Sequence, residues 1–108
     1  MNKFGKIYVK IVPTKGNRDV FSISVMVEHP MESGYRHDGR GKIIPRNIIK
    51  KLSCDFDGET IFAVELSSAV SKNPMFQFPL RPRKEGVLSC LFIDEFGNEK
   101  SKLVSFGD

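Results

Sequence analysis

The sequence predicts an all-β protein, a single immunoglobulin-like antiparallel β-sandwich of about seven strands spanning residues 1–108 as one domain. Apolar and polar residues alternate with period two along most of the chain. Turn-forming residues recur every ~8–12 positions, and no amphipathic helical pattern exceeds a turn or two. A strand buried on one face requires this alternation, because successive side chains point to opposite sides of a sheet.

Ile7, Val9 and Ile11 open the pattern, which ends at Pro13 and the turn residues Lys15-Gly16-Asn17. Phe21, Ile23, Val25 and Val27 alternate with Ser22, Ser24, Met26 and Glu28 to give a half-buried second strand. Leu52, Cys54 and Phe56 form a third apolar face. Asp57-Gly58 after it is a two-residue hairpin signal leading into a fourth strand over Ile61–Leu66. Phe76, Phe78 and Leu80 line the fifth, within Met75–Leu80, and Leu88, Cys90 and Phe92 line the sixth, within Val87–Ile93. Gly97-Asn98 turns the chain into a last strand over Lys100–Phe106.

With 40% hydrophobic and 28% charged residues, the composition is that of a globular chain rather than a disordered one. A chain this size buries about two-thirds of its surface, enough for one modest core but not for a deep cleft plus a cofactor domain. No apolar run approaches the ~18 residues of a membrane span, and Met1–Lys10 has no continuous apolar stretch of the signal-peptide kind. The net charge of +4 raises nucleic acid or an acidic partner as candidates. The basic residues are interleaved with acids, the nearest cluster being Arg81, Arg83 and Lys84. With no RNA-binding aromatic motif and no zinc-finger spacing, the charge is read as serving a protein partner.

One segment breaks the strand pattern. Residues 29–47, HPMESGYRHDGRGKIIPRN, are rich in Gly, Pro and charge. Connections of this length inside a compact domain are functional or disordered. Gly34, Gly39 and Gly41 supply turn conformations there, and Arg36, Arg40 and Arg46 are candidate contacts for an anion or an acidic protein surface. Two catalytic constellations can be written from the chain: a thiol nucleophile, Cys54 with His29, His37 and Asp38, and a soft metal site of His29, Met31 and His37. Against the first, Cys54 sits on the apolar face of a strand, where cysteine is a small buried hydrophobe. Against the second, the ligand spacing is weak: His29 is read as capping a strand end, Met31 as covering core and His37 as solvated, and no metal or other cofactor is expected. Cys54 and Cys90 fall on neighbouring strands of one sheet and are expected to be buried free thiols, a disulfide needing a particular cross-strand pairing.

The same segment carries a family resemblance. His29, Pro30, Met31, Glu32, Ser33, Gly34, Arg36, Asp38, Gly41, Ile44, Pro45, Ile48 and Ile49 resemble the signature stretch of SoxZ, a subunit of the thiosulfate-oxidising sulfur-carrier complex. Ser71-Lys72-Asn73-Pro74 followed by Phe78 is similar to the family's Ser-x-Asn-Pro segment, with Glu85-Gly86 and Asp94–Gly97 at its last two turns. Cys90 and His37 depart from the pattern.

The resemblance implies a non-catalytic sandwich subunit that forms a heterodimer with SoxY. SoxY carries sulfur intermediates on a cysteine in its own glycine-rich C-terminal tail, which the Sox enzymes visit in turn. It also implies a periplasmic location reached by export with the signal-bearing SoxY. A carrier arm needs a glycine-flanked cysteine, and neither Cys54 nor Cys90 has one, so the chain is read as the partner and not the carrier. The expected partner-binding residues are His29, Met31, Tyr35, Arg36, Ile43, Ile44 and Arg46, with the apolar ones as exposed anchors. The competing reading is a small Cys/His thiol or metal redox enzyme.

Overall fold

A computed structural model describes residues 4–67, 72–82 and 85–106, with backbone alone at positions 17 and 18. Ser71, Arg83 and Lys84, considered above, lie outside the described residues, as do the first three of the N-terminal stretch. Seven strands and no helix are found among them: β1 (Ile7–Thr14), β2 (Asn17–Val27), β3 (Ile49–Phe56), β4 (Glu59–Glu65), β5 (Met75–Leu80), β6 (Gly86–Asp94) and β7 (Glu99–Phe106). They form two antiparallel sheets, ordered β1-β2-β5 and β4-β3-β6-β7. The all-β sandwich expected from the sequence is the fold of the chain.

Cross-strand register follows the alternation. Ile7, Val9 and Ile11 lie opposite Val27, Val25 and Ile23, which in turn face Phe76 and Phe78 across β5. In the second sheet, Leu52, Cys54 and Phe56 oppose Phe92, Cys90 and Leu88. The inward faces meet in one core in which Ile23, Val25, Leu52, Cys54, Leu88, Cys90 and Phe92 are fully excluded from solvent. Phe62 stacks on Phe78 from the opposite sheet with centroids 4.6 Å apart, and Phe106 meets Phe21 edge-on at 5.0 Å. Such pairs add about 0.5–1.5 kcal/mol beyond the area they bury.

The Asp57-Gly58 turn decides where the fourth strand goes. Both residues have positive φ (50° and 86°), the type I′ geometry whose twist matches a hairpin. The turn holds β4 beside β3, in the four-stranded sheet, where a constant-type immunoglobulin domain places its fourth strand in the other sheet. At the free edge, Lys102 points inward and its Nζ donates to the Ile7 carbonyl of the facing sheet at 3.3 Å. An inward charge of this kind discourages a further strand from pairing there.

Candidate functional site

Residues 30–47 are not a structureless loop; they fold into an antiparallel β-finger at one end of the sandwich. Glu32 and Asn47 exchange backbone hydrogen bonds at 2.8 and 2.9 Å. Farther out, Ile44 N–H donates to Arg36 O, His37 bridges Ile43, and Asp38 N–H donates to Lys42 O. The Asp38 carboxylate closes the tip by accepting the Arg40 and Lys42 amides at 2.8 and 3.0 Å. Short side-chain acceptors favour turns for this reason. Gly34 sits at φ +91°, a conformation side chains rarely adopt, and a Cβ there would lie 3.2 Å from Arg46 Cβ and press on the facing leg.

The base of the finger is pinned by residues distant in sequence. Asn73 Oδ1 accepts the His29 N–H, and Asn73 N–H donates back to His29 O, both at 2.9 Å. The two stretches that carry the family resemblance, His29-Pro30 and Asn73-Pro74, therefore meet at this point. On the other leg, Arg46 Nε donates to Glu95 at 3.1 Å, while Glu95 exchanges bonds with the Ile48 backbone. Glu95 is presented by the β6–β7 turn, where Asp94 accepts the Phe96 and Asn98 amides. Arg36 grips Glu32 through Nε and Nη2, a two-pronged contact along one leg.

His29 and Met31 form the floor beneath these pins. Their relative exposures are 1% and 7%. His29 Nδ1 accepts the Met31 N–H at 3.0 Å, which leaves the proton of the neutral ring on Nε2. Burial lowers the His29 pKa against a smaller opposing pull from Asp94, so the ring stays neutral. Met31, at φ 49°, brings its sulfur to 3.3 Å from the Ile49 N–H and packs into the core.

These positions correct part of the sequence reading. Met31 is not an exposed anchor: its side chain covers core, because the chain must turn back over the end of the sandwich before the finger projects. His29 is likewise inaccessible, and Ile44 is half-buried. Tyr35 and Ile43, by contrast, stand 86% and 60% exposed. With Arg36 facing Ile44 and His37 facing Ile43, side-chain alternation groups Tyr35, His37, Ile43 and Pro45 on one side of the finger. All four are exposed. Arg36 and Arg46 remain at the surface but are engaged by Glu32 and Glu95. Asn47 and Glu95 were not singled out individually from sequence, and Pro45 entered only as a motif position, not as a partner-binding residue. The acceptor-rich Asp94-Glu95-Phe96-Gly97-Asn98 turn was the one signal pointing toward the second of them.

The two catalytic constellations do not assemble. Cys54 lies in the core opposite Cys90. The neighbouring Cys90 thiol, and then burial, push the Cys54 thiol well above its ordinary range, the reverse of what a nucleophile needs. His29 is held by Met31, and Asp38 serves the finger tip. No group of three or more His, Cys, Asp or Glu able to hold a metal ion occurs among the described residues.

The family model of the sulphur oxidation protein SoxZ matches residues 9–105, nearly the whole chain. The chain belongs to the SoxZ family. Its place is therefore in the Sox sulfur-oxidation system, whose SoxZ component is non-catalytic. No curated protein matches the sequence. Among solved structures, this SoxZ-family chain is similar to a hypothetical protein from Pyrococcus horikoshii OT3, with a TM-score of 0.68 at 14% identity over 97% of this chain and 90% of that one. It is also similar to a superoxide reductase in its oxidised state (TM-score 0.65, 16% identity, 98% and 90% covered). The superoxide reductase from Nanoarchaeum equitans is comparable (TM-score 0.66, 13% identity, 98% and 95% covered). At these identities the likeness is one of fold alone.

Proposed function

We propose that this chain is the non-catalytic half of a SoxYZ sulfur carrier. It pairs with a SoxY-like subunit whose C-terminal cysteine bears the sulfur, and it helps present that arm to the Sox enzymes. The observation that carries the docking part is the exposed Tyr35–His37–Ile43–Pro45 face on a finger pinned at its base. Exposed aromatic and aliphatic groups on a preorganised support bind with little ordering cost, and such residues dominate interface energies. The tip adds Arg40 and Lys42, which suit an acidic partner surface. Membership of the SoxZ family supports the choice of partner, and the two core-buried thiols support assigning the carrier role to the other chain. A stable interface needs about 800 Å² from each side, so the finger serves as anchor within a larger contact. The complex is proposed to act in the periplasm, exported with SoxY.

Co-expression with a SoxY-like subunit tests this directly. The two chains are expected to copurify as a heterodimer, and after thiosulfate turnover the sulfur adducts should be found by mass spectrometry on the partner's tail. Adducts on Cys54 or Cys90, or a chain that never retains the partner, would overturn the proposal.

A further inference from the structure

The pair Cys54 and Cys90 has no part in the function proposed above. The two residues are directly opposite in the β3–β6 register, both on the inward face, and both wholly excluded from solvent. Their pairing type follows from neighbouring bonds. Three register positions along, one step beyond the Phe56–Leu88 pair, Asp57 N–H donates to the carbonyl of Val87. Hydrogen-bonded and non-hydrogen-bonded pairs alternate along an antiparallel ladder. Odd-numbered positions of β3 therefore bond to β6, and Leu66 N–H donating to Lys50 O places even-numbered ones toward β4. Cys54–Cys90 is thus a non-hydrogen-bonded pair, the kind whose Cα atoms stand about 4.5 Å apart with side chains closest. That separation lies inside the range a disulfide requires, about 4.4–6.8 Å. A pair one register step away would aim the two sulfurs at the opposite face.

We propose that Cys54 and Cys90 form a two-electron dithiol site, oxidised to an intrachain cross-strand disulfide by a low-molecular-weight disulfide. One thiolate attacks a sulfur of the incoming disulfide and expels one small thiol, giving a mixed disulfide. The second thiolate attacks the protein-side sulfur and expels the other small thiol. The two S–H protons and two electrons end on the two released thiols, and the only new protein bond is Sγ–Sγ. Because both thiols lie in the core, the exchange proceeds through local opening of the sheet. The fold thereby favours the bond at equilibrium and slows its formation.

The experiment equilibrates the whole chain in mixtures of reduced and oxidised glutathione, once under native conditions and once in urea. Each equilibrium is approached from both sides: from the reduced chain, and from a chain refolded in oxidising buffer. Acid quenching, alkylation under denaturing conditions and intact mass then count the thiols. The expected product has lost two hydrogens and both alkylation sites. The folded chain should reach half-oxidation at roughly tenfold less oxidised glutathione, or lower still, than the urea-unfolded chain. C54S and C90S should each abolish the product. A folded chain that needs as much oxidant as the unfolded one would overturn the proposal. So would one that stops at a glutathione adduct, or that links two chains instead.

Discussion

The sandwich body and the β-finger are both antiparallel β-structure, yet they are held by different forces. In the body, ladder pairs place apolar residues back to back, and burial of side chains such as Leu52, Leu88 and Phe92 stabilises each strand. The finger is paired more sparsely, through two isolated bridges and a few backbone bonds, and has almost no core of its own. Its shape is set by Gly34, the Asp38 cap and pins from Asn73 and Glu95. Apolar side chains that would be buried in the body, Tyr35 and Ile43, are left outside on the finger. Antiparallel backbone pairing thus says little about whether an element serves stability or contact; the location of its pins says more.

The largest test of that contrast is Phe92→Ala. It removes a ring fully enclosed by both sheets and should cost about 3–5 kcal/mol in urea denaturation. A loss below about 1 kcal/mol would mean that the core is not where the stability lies. Tyr35→Ala combined with Ile43→Ala should leave the denaturation midpoint unmoved while weakening SoxY binding by about 2–4 kcal/mol, roughly 30- to 1,000-fold. If titration shows unchanged affinity, the finger face is not the anchor. Gly34→Ala should be intermediate, about 1–2 kcal/mol, from a strained positive φ and the close Arg46 contact. Its loss should be local, with hydrogen exchange accelerating at the Asp38 and Ile44 amides, which donate across the finger, before those of β2 or β6.

The smallest effect expected is a pH dependence at the hinge between the two regions. His29 has a folded pKa below its unfolded value of 6.5, so the unfolded chain binds the proton first. Its contribution is fully present above pH 6.5 and declines as pH falls below that value toward the lower folded pKa. Denaturation midpoints should therefore drop between about pH 7.5 and about pH 5.5, and His29→Gln should reduce that drop. A drop of the same size in the variant would place the proton elsewhere.

Strand existence and facing were legible because burial writes itself into sequence with period two. The β4 placement was legible in part, since Asp57-Gly58 admits only a tight turn to the adjacent strand. The finger was legible only as an interruption. Its alternation puts polar and apolar residues alike in water, so no hydrophobic period marks it. Its pins come from partners 44 and 49 residues away, His29 with Asn73 and Arg46 with Glu95. Met31 shows the limit most clearly: its sequence admits both cover for the core and an exposed anchor in a charged segment, and the path of the chain over the sandwich end decides for the core.

The sequence by itself determined the all-β class, the seven strands, the inward faces and the SoxZ family, because these rest on local periodicity and on a long motif. Tertiary structure decided which apolar residues of the motif stay exposed, how the motif's two halves meet at His29 and Asn73, and that Cys54 faces Cys90. Those depend on register and on distant contacts, and a shift of one residue in register turns each side chain to the opposite face of its sheet.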